Sequence, residues 1–298
     1  MATKLKEQIG IGDVSISNRA KRYVLDTLQR NRLTTGIYTR KFEDLFAKIH
    51  GRKFAIFCNS GTSALQVAVS VLKETCKWAD GDEILCPAIT FIASSNVILQ
   101  NNLQPVFVDV EREFYGMDPE KIEEKITPKT RAIMVVHLFG MICQMDKIAA
   151  LAKKHHLKII EDACEAPFAT FQGKPAGSWG EISCFSTYAS HVVVTGVGGL
   201  ALTDIKDLAV KIKSAFNHGR DNIYLTIDDD KNVSEGTLRL IVKRRFSFVR
   251  MGYSYRATEM EAAVGLAQLE ERKQILEGRQ RVAKRFIQKL QPLKSFLQ

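Results

Sequence analysis

Ile159-Ile-Glu-Asp-Ala-Cys-Glu-Ala166 and Ser183-Cys-Phe-Ser-Thr-Tyr-Ala-Ser-His-Val-Val-Val-Thr-Gly-Val-Gly-Gly199 are the stretches on which the reading of this chain turns. In the first, an apolar strand ends on the acidic pair Glu161 and Asp162. In the second, a short strand delivers Ser186 and His191 ahead of a glycine turn. Chemistry-bearing side chains at the ends of buried strands are the habit of open α/β sheets, whose ligands sit beyond the carboxyl ends of the strands. Outward from this centre, strand-like runs at 54–58, 83–86, 105–109, 131–136 and 158–161 alternate with helical patterns after residue 59, at 91–101, from 118 and at 145–156. The rhythm predicts an α/β fold, a mostly parallel sheet with helices on both faces.

Toward the N-terminus, 17–30 reads as an amphipathic helix with a serine cap and 39–50 as a second, with a turn at 33–38 between them. Asn59-Ser-Gly-Thr-Ser63 leads from a strand straight into a helix. This predicts unpaired amides at Gly61, Thr62 and Ser63, at the positive end of the helix dipole. Such a place binds anions; the plainer alternative is a helix cap. Toward the C-terminus, a strand at 199–203 and a helix at 204–217 precede the polar segment 228–236, read as an exposed loop. The periodic stretch from Thr258, with Glu261 three residues on, to about Leu290 reads as one long helix.

The 298 residues suffice for one large α/β domain and part of a second. A hydrophobic share of 45% and a charged share of 26% are those of an ordinary globular protein. No apolar run reaches membrane-spanning length, and Met-Ala-Thr-Lys-Leu-Lys-Glu at the start lacks the apolar core of a signal peptide. A cytoplasmic location without membrane contact is the expectation. The six cysteines are scattered without C-x-x-C spacing and read as reduced, packed thiols with no metal site. The net charge of +10 has no stacking pattern or reading motif beside it, so nucleic acid is not the expected partner.

Asn59-Ser-Gly-Thr-Ser-Ala-Leu65, Pro105-Val-Phe-Val-Asp109, Val136-His-Leu-Phe-Gly140, Glu161-Asp-Ala163, Gly198-Gly199 and Gly252-Tyr-Ser-Tyr-Arg256 through Ala267-Gln-Leu269 follow one another as the motifs of the DegT/DnrJ/StrS family do. The chain resembles that family over nearly its whole length. The resemblance implies a fold-type I enzyme that depends on pyridoxal phosphate, acts on a nucleotide-linked keto sugar and forms a homodimer. It implies that Gly61, Thr62 and Ser186 hold the cofactor's phosphate and that Phe91 stacks on the pyridine, with core packing as the alternative for that ring. It implies that Asp162 pairs with the protonated pyridine nitrogen and that Glu165 lies near the phenolic oxygen. Ser254 stands where relatives usually have an asparagine that reaches the neighbour's phosphate across the dimer interface. The implied division is a large cofactor-binding domain, 1–257, and a long helix from 258 toward a small C-terminal domain that is largely absent, since the chain stops at Gln298.

One departure governs the expected reaction. By its spacing to Ser186 and to Gly198 and Gly199, His191 occupies the position where most members carry the lysine that forms a Schiff base with the cofactor. Imidazole cannot form that imine, and no lysine occurs between Lys174 and Lys206. Histidine here resembles the nucleotide-sugar 3-dehydratase subgroup. The implied enzyme holds pyridoxal phosphate or pyridoxamine phosphate non-covalently and is recharged by an amino donor such as L-glutamate. It removes the C3 hydroxyl of a nucleotide-linked 4-keto-6-deoxy sugar with His191 as base. A sugar aminotransferase with an untethered cofactor is the alternative within the family. A non-catalytic member is the third reading, motivated by the lost lysine, by Val197 where the family has glutamate, and by the short C-terminus.

Overall fold

The computed structural model describes residues 14–221, 233–244 and 246–295. Helices α1 (Asn18–Gln29) and α2 (Ile37–Ile49) lead into β1 (Phe54–Cys58) and α3 (Gly61–Cys76). The alternation continues through β2 (Glu83–Pro87), α4 (Ala93–Gln100), β3 (Gln104–Val108), α5 (Pro119–Ile122), β4 (Thr130–Val136), α6 (Met145–Lys154) and β5 (Lys158–Asp162). A small hairpin of β6 (Thr170–Phe171) and β7 (Lys174–Pro175) precedes β8 (Ile182–Ser186), β9 (Gly199–Thr203) and α7 (Lys206–Phe216). Among the described residues α8 (Glu235–Arg244), α9 (Glu259–Glu270) and α10 (Arg272–Leu290) follow. No helix among the described residues is long and apolar enough to cross a membrane.

Seven strands form one sheet in the order β1-β9-β8-β5-β4-β2-β3. The pairs from β3 across to β8 are parallel, whereas β9 runs antiparallel to both β8 and β1. Side chains alternate between two faces. Ile56, Ile84, Met134, Ile160 and Cys184 pack with α3, α4 and α7. Phe57, Phe185 and Leu200 pack with α2 and α9, and Leu85, Ile133 and Ile159 with Met145 and Ile148 of α6. Each such fully buried Leu, Ile or Phe contributes roughly 1.5–3 kcal/mol of transfer free energy, and a slip of one residue would turn it to the wrong face. The same alternation parts the acidic pair at the end of β5, where Asp162 follows Ile160 and Glu161 follows Ile159.

The structure corrects two expectations. The stretch 258–290 is not one helix: it breaks at Glu271, whose φ is −97° and ψ 6°. The break falls where α9, buried against α1 and α2, gives way to α10, which has no buried residue. The segment 228–236 is not a loop to its end, because Glu235 and Gly236 open α8; residues 228–232 lie outside the described residues.

Candidate functional site

The carboxyl ends of β4, β5 and β8 and the N-terminus of α3 enclose a cavity of about 420 Å³. Gly61, Thr62, Phe91, Asp162, Glu165, Ser186 and His191 all line it, as does Val197. Ser254 does not. It lies on the segment that bridges to Asn217, where its hydroxyl accepts a hydrogen bond from Arg256 Nη2 at 3.3 Å.

Ser60 caps α3, its Oγ accepting from Ser63 N at 3.0 Å. This corrects the expectation of three open amides: Ser63 is satisfied internally, while Gly61 and Thr62 keep N–H groups that no described residue claims. Gly61 is a steric requirement. A Cβ there would meet Ser186 Cβ at 2.8 Å and Cys164 Sγ at 2.9 Å, so strand β8 and the turn after β5 close directly on the helix start. Beside it, Asn59 turns a buried Oδ1 with no hydrogen-bond partner among the described residues into the cavity wall. The Cys164 thiol, also in the wall, is pushed well above its ordinary pKa by burial, so it stays protonated.

Asp162 is nearly buried and aimed toward α4, where Ser94 Oγ donates to its Oδ2 at 2.8 Å. Thr90 Oγ1 stands 2.9 Å from Ser94 Oγ, and Cys164 N donates to Asp162 Oδ1 at 3.3 Å. An ionised carboxylate can accept about four hydrogen bonds, so acceptor capacity remains toward the cavity. The sequence reading missed Ser94; its one signal was a polar side chain one turn beyond Thr90. Glu161 faces the opposite way and is fully buried. It accepts from the amides of Gly177, Trp179 and Gly180 at 2.8, 2.7 and 2.7 Å, with His137 Nε2 at 3.1 Å and Arg52 Nη2 at 3.7 Å. Burial opposes its charge, but His137, Gly180 N–H and Arg52 together lower its pKa. It is a structural carboxylate.

Glu165 accepts from Phe139 N at 2.6 Å, and Phe139 sits in a tight turn at φ 56°. Phe91 is 69% exposed, which removes core packing as its role. His191 is half-buried in the connection between β8 and β9. Its N–H donates to Tyr188 O at 3.0 Å, its carbonyl accepts from Arg279 Nη2 at 2.9 Å, and its ring makes no hydrogen bond among the described residues. Burial lowers the His191 pKa from its ordinary value; Glu165 and Asp162 pull the other way, and Arg279 adds to the lowering. Among the described residues no lysine lines the cavity.

A family model described as the DegT/DnrJ/EryC1/StrS aminotransferase family matches residues 14–298. The chain is 36% identical over 284 residues to a GDP-perosamine synthase of Caulobacter vibrioides, covering 95% of this chain and 70% of that protein. It is 35% identical over 247 residues to a dTDP-4-dehydro-2,6-dideoxy-D-glucose 3-dehydratase of Saccharopolyspora spinosa, covering 80% of this chain and 54% of that one. Among solved structures, an E. coli GDP-4-keto-6-deoxy-D-mannose-3-dehydratase with bound hydrated PLP is similar with a TM-score of 0.85 at 27% identity, covering 94% of this chain and 72% of that one. The fold, the cavity at its strand ends and these likenesses agree: the chain belongs to the DegT/DnrJ/EryC1/StrS aminotransferase family and is a pyridoxal-phosphate-dependent enzyme of fold type I.

Proposed function

We propose that this enzyme removes the C3 hydroxyl of a nucleotide-linked 4-keto-6-deoxy sugar, with the cofactor held non-covalently in its pyridoxamine form and His191 as base. The observation that carries the reading is that the β8–β9 connection presents a histidine to a cavity that no lysine among the described residues lines. The residues present fit the cofactor: two unclaimed amides at a helix N-terminus, a floor too tight for a Cβ at Gly61, an orphaned Asn59 oxygen, and a carboxylate with acceptor capacity left.

Gly61, Thr62 and Ser186 would hold the phosphate at the positive end of α3. Phe91 would lie against the ring, Glu165 would face the phenolic oxygen, and Asp162, fixed by Ser94, would keep the ring nitrogen protonated. Ser254, outside the cavity of its own chain, is assigned to the neighbour's phosphate in a homodimer. When bound, the cofactor supplies the amine that condenses with the keto group and the ring that acts as electron sink. His191, neutral at pH 7 because burial lowers its pKa, accepts a proton at its imidazole and returns it to the C3 hydroxyl, which leaves as water. An amino donor such as L-glutamate restores the amine, and hydrolysis after dehydration releases ammonia with the 3-deoxy sugar.

The second reading, a sugar aminotransferase, is favoured by the 36% identity to a GDP-perosamine synthase. The two differ in product. Supplied with pyridoxal phosphate, L-glutamate and a nucleotide-linked 4-keto-6-deoxy sugar, a dehydratase releases ammonia and a 3-deoxy sugar, whereas an aminotransferase leaves the amine on the sugar. His191→Lys is expected to cut 3-deoxy product by about 100-fold or more, the scale of a lost acid–base group. Undiminished product in that variant removes His191 from the mechanism.

A further inference from the structure

The proposed reaction depends on where the His191 imidazole points, and that ring has no hydrogen-bonding partner among the described residues. Its direction must come from the backbone that carries it. The connection between β8 and β9 is pinned at its base by Thr187 and Thr195, whose hydroxyls stand 2.6 Å apart and whose main chains bond at 2.9 Å. Two further contacts come from the C-terminal helices. Val194 N donates to Gln268 Oε1 of α9 at 3.2 Å, and Arg279 Nη2 of α10 donates to the His191 carbonyl at 2.9 Å. Because α10 has no buried residue, apolar packing does not account for where Arg279 lies.

We propose that Arg279 is a positioning residue for the base: from α10 it grips the His191 carbonyl, fixes the turn begun at Tyr188 and sets a permanent cation beside the imidazole. A guanidinium keeps its charge at every pH at which the protein folds, and a hydrogen bond from it to a carbonyl is stronger than a neutral one. The charged groups around His191 come from two sides. Glu165 and Asp162, at and after the end of β5, favour the imidazolium; Arg279 opposes it and keeps the ring in the form that accepts a proton.

The proposal takes its meaning from the role assigned to His191, but its test does not rely on turnover. Imidazole titration followed by NMR, with the His191 signal identified by its loss in His191→Asn, is combined with hydrogen exchange of the 187–198 segment in the full chain. In Arg279→Ala, the His191 midpoint is expected to move upward and the amides of the segment to exchange about tenfold faster, the scale of one charge-assisted hydrogen bond. Arg279→Lys, which keeps the cation and a donor, is expected to restore the midpoint and part of the protection. Arg279→Gln, a milder change should the alanine variant fold poorly, is expected to raise the midpoint as well. An unchanged midpoint with unchanged exchange overturns the proposal. So does a shift shared by His50 and His137, which marks general loosening. Failure of the dehydratase reading would show in the sugar product and would leave these readouts as they are.

Discussion

His50 and His191 are both held below the ordinary histidine pKa, chiefly by burial, and the consequences differ. His50 is fully buried beside Phe46, with Nδ1 2.9 Å from Phe46 O and Phe168 N donating to Nε2 at 3.4 Å. Its pKa is pushed down to about 4. The unfolded chain therefore takes up a proton near pH 6.5 that the folded chain refuses, and stability falls as pH drops from about 6.5 toward 4. The loss reaches ~3 kcal/mol, and melting temperatures of wild type and His50→Gln across that window should show the variant with the shallower acid decline. With His191 as the proposed base, its lowered pKa would act on rate: the acid limb of kcat/KM is then expected below pH ~6.5, and a limb above that value would contradict the burial argument. Gly61→Ala places a Cβ against Ser186 and Cys164, and titration with pyridoxal phosphate should show at least about tenfold weaker binding. Asp162 and His191 are singled out in the sequence by the family resemblance and Gly61 by its place between a strand and a helix, and the structure puts all three in the wall of one cavity. Ser94 leaves only the faint signal of a polar side chain one turn beyond Thr90, and Arg279 leaves none, since only tertiary structure brings it to the His191 carbonyl.

The helix boundaries teach the same lesson for whole elements. The sequence places the start of α2 at Thr39; the structure starts it at Ile37, after Gly36, which has no side chain to cap it. The cap comes from the far end of the chain. Glu259, 1% exposed at the start of α9, accepts from Tyr38 N at 2.7 Å, Thr39 N at 3.1 Å and Thr39 Oγ1 at 2.6 Å. No local reading of residues 33–50 could supply that partner. Within α9 the capping box expected from Thr258 and Glu261 is present, a local device read from local residues. Denaturant unfolding should separate the two: Thr258→Ala is expected to cost about 1 kcal/mol. Glu259→Ala is expected to cost roughly 2–4 kcal/mol, since it strips a charged acceptor from several buried donors at once.

Across the molecule, the βα rhythm foretold the sheet and its two covered faces, but not the reversal of β9, which depends on a pairing with β1 that no short stretch encodes. The buried carboxylate of Glu161 ties the loop before β8 to the approach to β1. Arg52, just before β1, donates to Gly177 O and Gly180 O, both at 2.5 Å, while Glu161 takes the amides of the same loop. Glu161→Leu would leave Arg52 to its other carboxylate, Asp204, at 2.8 Å, but would strip the buried His137 ring and the amides of Gly177, Trp179 and Gly180 of their acceptor. A loss of about 3–5 kcal/mol is expected, measured as a fall in the urea midpoint, and a small change would show that water had entered to replace it.

The place of β1 at the sheet's edge also governs the order of events during synthesis. Among the described residues Phe54–Cys58 pairs only with Gly199–Thr203, so on the ribosome β1 emerges before β9 and must wait for it with both of its edges open. The turn at Ser60 and Gly61 hangs from that waiting strand. A nascent chain can thus build the β2–β5 region before the turn that opens α3 is fixed in place. Until Thr203 leaves the exit tunnel, its unpaired strand is also a docking edge that other chains can capture.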